Sequence, residues 1–280
     1  MQTVSTIRDL RTALLPWREA GDTVGLVPTM GALHKGHLSL IAAAKKTVKR
    51  TVASIFVNPM QFGPNEDLGK YPRALDVDRD LLAEAGCDLL YTPAANEMYP
   101  EGFGVKIDPG PLATVLEGAF RPGHFSGVAT VVVKLLLQAM PDYAFFGEKD
   151  YQQLLIIRRV VRDLNIPVHI VASPLIRDTD GLALSSRNAY LTPEQRKQAV
   201  LLSKILTETA SQLAGGGNAD VAVKEGRDKL MAAGFKCDYL ELRDAGSLVP
   251  AHDLTLPARL LAAVRVGPVR LIDNMAVGGA

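Results

Sequence analysis

The chain has 280 residues, with 31 Lys and Arg against 30 Asp and Glu, a formal net charge of +1. At roughly 150 residues per domain that is one large domain or two modest ones, and a content of 48% hydrophobic and 22% charged residues is too apolar for a disordered chain. The balanced charge argues against an extended basic face for nucleic acid, and two cysteines, Cys87 and Cys237, can build neither a disulfide framework nor a four-thiolate zinc site.

Along the chain, the first residues place Asp9, Arg11 and Arg18 where a secretion signal needs an apolar run. Residues 23–28, 51–57, 87–92, 142–146 and 168–172 are short β-branched runs that read as buried strands of a parallel sheet. Helical stretches lie between them, at 36–50, 73–85, 125–140 and 150–165. The most apolar stretch, 128–140, is broken by Lys134 and is too short to span a bilayer. In the 150–165 helix, Leu154, Leu155, Ile157, Val160, Val161 and Leu164 follow a helical period, with charge on the other face. Asp150 reads as its N-cap, and Asn165-Ile166-Pro167 as its end. Gly86 stops the 73–85 helix.

After Pro174 the pattern changes. Thr192-Pro193-Glu194 opens a long helix, with Thr as N-cap and Pro at the first helical position, and Gly215-Gly216-Gly217 closes it. A second helix at 220–233 is followed by strands at 238–243, 260–266 and 269–273, the last two joined by Gly267-Pro268. The fold class expected is therefore α/β: a doubly wound, Rossmann-like parallel-sheet domain over residues 1–175, then a smaller α+β domain over 176–280. The chain reads as a soluble cytoplasmic protein with no membrane or nucleic-acid partner, in keeping with its two unpaired-looking cysteines.

The sharpest motif is Pro28-Thr29-Met30-Gly31-Ala32-Leu33-His34-Lys35-Gly36-His37, between the first strand and the next helix. That is the carboxyl end of a strand, where open α/β sheets bind ligands. His34 and His37 are three residues apart, so in a first helical turn they share a face. Gly36 removes a side chain between them, and the helix N-terminus adds amide donors, which together suit phosphate oxygens. Ordinary surface histidines, or a zinc pair lacking a third ligand, are the competing explanations. Gly31 serves equally as a turn residue of positive φ. Neither a Walker A sequence nor G-x-G-x-x-G is present, so phosphate is not expected in a P-loop.

Asn58 and Gln61 follow the second strand in a Pro-broken loop, where neutral amides can orient hydroxyls and a carboxylate; Asn-Pro is also plain turn chemistry. Gly147-Glu148-Lys149-Asp150 follows a strand and opens a helix, offering close approach, a phosphate-binding lysine and a carboxylate for ribose or magnesium. A capped helix with solvated charges would look the same. In Leu184-Ser185-Ser186-Arg187, the Arg can fork two phosphate oxygens, although such a loop can also be simple surface. Arg121 and His124 flank a Pro-Gly turn, and His169 and His252 read as structural or exposed.

The His34-Lys35-Gly36-His37 turn resembles the H-x-G-H signature of the nucleotidylyltransferase superfamily. Six segments in order, 28–37, 56–62, 71–73, 121–125, 146–153 and 184–188, are similar to those of the pantoate–β-alanine ligase family. The last hundred or so residues add length and pattern but no diagnostic motif.

The resemblance implies an acid–amino-acid ligase forming a C–N bond. (R)-Pantoate and β-alanine would condense to pantothenate through a pantoyl-adenylate, with ATP giving AMP and pyrophosphate. It implies ATP contacts at Met30, Gly31, His34, Gly36, His37, Gly147, Glu148, Lys149, Asp150, Ile176, Leu184, Ser185, Ser186 and Arg187, of which His34, His37, Lys149 and Arg187 would be catalytic. It implies pantoate and β-alanine contacts at Gln61, Gln153, Asn58, Arg121 and His124. Mg²⁺ would arrive on the ATP phosphates, with Asp150 as a candidate ligand and the metal site otherwise open. The small domain would be a lid and the working form a homodimer. Where the superfamily carries a lysine-rich loop, this chain has two serines and Arg187. Two other functions share the histidine turn: a nucleotidylyltransferase acting on a phosphorylated acceptor, and a non-catalytic ATP-sensing module.

Overall fold

A computed structural model describes residues 1–64 and 66–278. The elements in chain order are β1 (Gln2–Val4), α1 (Ile7–Glu19), β2 (Val24–Thr29), α2 (Lys35–Thr47), β3 (Arg50–Ile55), α3 (Leu75–Glu84), β4 (Leu89–Tyr91), α4 (Ala95–Met98), α5 (Glu117–Phe120), α6 (His124–Ala139), β5 (Tyr143–Gly147), α7 (Tyr151–Asp163), β6 (His169–Ser173), α8 (Pro193–Ala214), α9 (Ala219–Ala232), β7 (Lys236–Asp244), β8 (Ala258–Val266) and β9 (Val269–Val277).

The chain divides into two compact units, Met1–Glu148 with Gln153–Pro174, and Lys149–Gln152 with Leu175–Ala280. The first holds a six-stranded sheet in the order β1-β4-β3-β2-β5-β6, all of whose pairs are parallel. From β2 the chain winds outward through β3 to β4, then returns to place β5 and β6 on the other side. The order thus reverses between β2 and β5, and it is at such a reversal that a crevice opens outside the carboxyl ends of the strands. On one face Leu40, Ile41 and Ala44 of α2 and Leu82 of α3 are buried against Val27, Ala53, Leu90 and Phe145 of the sheet. On the other face α6 packs on β2 and α1 packs on α6.

The sequence reading passes over β1 and α1. Three residues are too few to show a period, but α1 is an ordinary amphipathic helix that buries Leu10 and Leu14 and is capped by the Thr6 hydroxyl, which accepts the Asp9 N–H at 3.1 Å. Several expected boundaries move: the last strand, expected to end at 273, runs to Val277, the helix expected over 36–50 ends at Thr47, and two further shifts fall at the site. The strand expected over 51–57 ends at Ile55, because Asn58 and Pro59 start a 3₁₀ turn, Pro59–Gln61. The helix expected from Asp150 begins at Tyr151, since Glu148–Asp150 is itself a 3₁₀ turn running into α7.

In the second unit, α8 and α9 cover the antiparallel sheet β7-β8-β9, with Leu202, Leu206, Leu230, Leu260 and Val264 in its core. Helix α8 opens as its sequence prescribes. Thr192 and Gln195 form a reciprocal capping box, with Pro193 in the first position. Residues 149–152, expected in the first domain, group with this unit. The reason is local: the carbonyl of Lys149 accepts the Asn274 side-chain amide at 3.0 Å, and the Arg259 guanidinium stacks 4.1 Å over the Tyr151 ring.

Candidate active site

The chain leaves β2 through a turn that only particular residues can make. Gly31 has φ of 82° and Ala32 φ of 50°, successive left-handed residues that aim their amides to one side. The buried carboxylate of Asp78, on the first turn of α3, fills that concavity. It accepts the Ala32 N–H at 2.8 Å and the Leu33 N–H at 2.7 Å. A β-carbon on Gly31 would sit 3.0 Å from Asp78, so the turn and its anion fit only with glycine there. Nothing in the sequence marks Asp78 beyond its being an acidic residue in a helix's first turn, where acids are common.

His34 is the N-cap of α2 and His37 its third residue, and their rings lie 4.0 Å apart at 32°. Each ring turns its Nδ1 back onto the helix start. His34 Nδ1 accepts the Gly36 N–H at 3.2 Å, and His37 Nδ1 accepts the His34 N–H at 3.3 Å. A neutral imidazole whose Nδ1 accepts carries its proton on Nε2. The cap therefore fixes both rings as Nε2–H donors.

The structure differs from the sequence expectation over the amides. The N–H groups of Gly31, Ala32, Leu33, His34, Gly36 and His37 all bond within the fold, to Thr29, Asp78, the two imidazoles and the His34 carbonyl. A short helix-start turn satisfies its own orphan donors first. The backbone amides of the turn are therefore spent within the fold, and the imidazole edges are what it presents in their place.

A second cluster forms beyond β3, around Gln61. Its side-chain oxygen accepts from Asn58 Nδ2 at 3.0 Å, and its Nε2 lies 3.2 Å from the Met30 sulfur. Its main-chain carbonyl accepts from His124 Nδ1 at 2.9 Å and Arg121 Nη2 at 3.3 Å. Helix α6 reaches this turn because it carries Gly127, where a β-carbon would meet the Met60 carbonyl and come within 2.7 Å of the Gln61 nitrogen.

Three residues expected as substrate contacts prove to be engaged here. Asn58 is buried; its Nδ2 also donates to the Gly127 carbonyl at 3.1 Å, and its Oδ1 accepts from the Tyr99 hydroxyl at 2.7 Å and the Met60 N–H at 3.2 Å. Every hydrogen-bonding position of its amide is thus used by the protein. Arg121 makes a two-pronged contact with Glu66, at 2.6 Å to each oxygen, and its Nη1 lies 3.0 Å from His124 Nε2. His124 Nδ1 must donate to the Gln61 carbonyl, so its Nε2 accepts from Arg121 and the ring is neutral. Burial, with the Arg121 charge beside it, pushes its pKa down to about 4. Glu66 is pushed up by burial but held lower overall by the Arg121 guanidinium. Asn58, Arg121 and His124 therefore hold Gln61 in place. Glu66 and Tyr99 belong to the same support and were not legible, since each partner lies far away in sequence.

Gly147 ends β5, the strand beside β2, so both carboxyl ends open on the same edge of the sheet. Gln153 is half-buried on the first turn of α7 in the first unit. A cavity of about 330 Å³ lies along the same edge, beyond β2, β3 and β4, lined in part by Met30, Gly31, Ile55, Arg73, Asp78 and Thr92. Glu148 closes the first unit at the start of the 3₁₀ turn.

The second unit holds the other expected residues. Lys149 Nζ lies 3.7 Å from Asp150, whose carboxylate is half-exposed. Ile176 and Leu184 bond across a short ribbon, the Leu184 N–H donating to the Ile176 carbonyl at 3.0 Å. Ser185 caps the 3₁₀ turn Ser186–Tyr190 by accepting the Arg187 N–H at 3.3 Å. Elsewhere, His169 stacks near Tyr143 at 5.1 Å, and the exposed His252 lies 3.0 Å from Asp220.

Fold and motif together define a doubly wound α/β protein with an H-x-G-H turn on β2, beside the reversal of its strand order. Residues 2–276 match the family model for pantoate–β-alanine ligase. The chain is 54% identical to a pantothenate synthetase of Paramagnetospirillum magneticum, over 98% of this chain and 97% of that one. The crystal structure of pantothenate synthetase from Thermus thermophilus covers 100% of both chains at 50% identity, with a TM-score of 0.95. A pantoate–β-alanine ligase from Francisella tularensis, solved with β,γ-ATP and β-alanine, matches at 36% identity over 98% of this chain and 97% of that one, with a TM-score of 0.83. The chain belongs to the pantoate–β-alanine ligase family.

Proposed function

We propose that this protein joins (R)-pantoate to β-alanine at the expense of ATP, through a pantoyl-adenylate, giving pantothenate, AMP and pyrophosphate. The observation that carries the reading is the family match over nearly the whole chain. The paired Nε2–H donors of His34 and His37 at the carboxyl edge of the sheet are its chemical counterpart.

In the first step a carboxylate oxygen of pantoate forms a bond to the α-phosphorus of ATP as the bond to pyrophosphate breaks. Charge grows on phosphate oxygens, so fixed donors aimed at them lower the barrier. His34 and His37 suit this role, since their caps hold each ring in the donating tautomer. The assignment gives Lys149 and Arg187 the same charge, the former as a compact ammonium and the latter as a fork. In the second step the β-alanine amine attacks the acyl carbon and AMP leaves. Gln61 and Gln153 are neutral amides, able to orient a hydroxyl and a carboxylate without adding charge. Asn58, Arg121 and His124 serve by fixing Gln61.

Magnesium, carried in on the phosphates and water, would offset the triphosphate charge. A single half-exposed carboxylate such as Asp150 fits that ion, and among the described residues no group of three or more metal-binding side chains offers it another cage. No helix among the described residues is long and apolar enough to cross a membrane. The enzyme is taken to act as a cytoplasmic homodimer.

Incubation with ATP, Mg²⁺ and pantoate, with and without β-alanine, tests the function. Stoichiometric AMP, pyrophosphate and pantothenate are expected only when both substrates are present. ADP as the product, or no turnover with both substrates present, would rule the reading out.

A further inference from the structure

Lys149 and Arg187 lie 38 residues apart in sequence (187 − 149), yet both belong to the same compact unit. Two neighbouring residues of β9, Asp273 and Asn274, reach both of their segments. Asn274 is buried and donates its Nδ2–H to the Lys149 carbonyl at 3.0 Å, while its Oδ1 accepts from Arg259 Nε at 2.7 Å. That arginine stacks on Tyr151, whose hydroxyl donates to the Ala245 carbonyl at 2.9 Å, so residues 149–151 are held on both sides.

Asp273 is buried too. Its two oxygens take both ends of Arg177, at 2.6 and 2.9 Å, and Oδ1 also accepts the Asn274 N–H at 2.7 Å. Arg177 is the base of the short ribbon that ends at Leu184. It pairs with Ala183 across the ribbon, and its Nη1 donates to the Gly181 carbonyl at 3.2 Å. Ser185 and Arg187 follow directly from that ribbon. The far side of the ribbon turn is pinned by Arg196, at 2.7 Å from Asp178 and 2.8 Å from Asp180.

We infer that Asp273 and Asn274 are positioning residues of the adenylation step, which clamp the Lys149 and Arg187 segments to one strand so that both cations are presented as a fixed pair. The inference rests on the proposed role of Lys149 and Arg187 at the ATP phosphates. Each clamp acts on the root of its segment rather than on the charged tip, so it fixes where the ammonium and guanidinium start without competing for them. A neutral amide is required at 274, because one end must donate to a carbonyl and the other must accept from a guanidinium. An aspartate of the same shape satisfies Arg259 but cannot donate to Lys149.

The test compares two half-reactions on one preparation of N274D: pyrophosphate release from ATP and pantoate, and capture of enzyme-bound pantoyl-adenylate by β-alanine. Small displacements of positioned groups cost up to about 10²-fold in rate, so pyrophosphate release should fall about 10- to 100-fold. Capture, in which no triphosphate is present, should stay within about threefold. In a K149A background N274D should add little further loss, because residues acting as one unit are not additive. Partial unfolding lowers both half-reactions equally, so their ratio still reports the effect in a destabilised variant. If N274D keeps wild-type adenylation while K149A loses it, or if both half-reactions fall together, the positioning role is wrong. If K149A itself releases pyrophosphate normally, it is the assignment of Lys149 that fails.

Discussion

At the scale of single residues, the histidine turn shows how little chemistry a sequence motif leaves to chance. His37 accepts a main-chain N–H through Nδ1, so the motif selects a tautomer as well as a position. Replacing His37 with Ala should remove one fixed donor and lower the adenylation rate by about 10²–10³. Single-turnover pyrophosphate release measures this, and a loss below about threefold would remove His37 from the phosphate-binding set. Asp78 supports the turn from beneath. D78N puts an amide N–H where one of two main-chain N–H groups now finds an acceptor, leaving two donors facing each other. A buried mismatch of this kind costs about 1–3 kcal/mol of stability, and the displaced turn should slow adenylation by about 10-fold or more. Thermal unfolding together with the same rate measurement checks both, and an unchanged rate in a destabilised protein would make Asp78 purely structural. The histidine pair was legible because two imidazoles bracketing a glycine are rare. Asp78 was not, because its partners are 45 and 46 residues away and are main-chain amides that any residue could supply.

At the scale of elements, α6 does more than fill the core. Its first residue, His124, and its fourth, Gly127, both meet the turn that carries Gln61. The helix was readable from its apolar run, and its ends fell within a residue of expectation. Its purpose was not, since a side-chain ring on a distant carbonyl leaves no period. His124 also gives the protein a pH signature. Its folded pKa of about 4 lies below the ordinary imidazole value of 6.5. Between those values the unfolded chain binds the proton that the folded chain refuses, so stability is present above about 6.5 and falls as pH drops toward about 4. The full loss amounts to about 3 kcal/mol. Glutamine at 124 can still donate to the Gln61 carbonyl and accept from Arg121 without titrating. Urea unfolding at several pH values across that window should show a steep decline in the parent and a shallower one in H124Q. Parallel curves would mean that the buried imidazole contributes no such linkage.

For the molecule as a whole, alternating strands and helices gave away the doubly wound sheet, and the capping box of α8 marked where a different pattern begins. Residues 149–152 were harder to place, because they continue a strand-to-helix connection of the first unit while their contacts lie with β8 and β9. No local rule of composition or period reports a tertiary preference of four residues. The net charge of +1 likewise conceals the chemistry. The proposed ligands other than zwitterionic β-alanine are anions, and the donors that would meet them are a few placed side chains rather than a basic surface.

The oxygen bookkeeping of the reaction tests the proposed chemistry most directly. If the pantoate carboxylate attacks the α-phosphorus, one of its oxygens becomes the bridge of the mixed anhydride and departs with the nucleotide when β-alanine attacks the acyl carbon. With pantoate labelled by ¹⁸O in its carboxylate, each turnover should therefore leave one label in AMP and one in the amide carbonyl of pantothenate. Label in inorganic phosphate with ADP as the co-product, or AMP carrying none, would contradict the adenylate route.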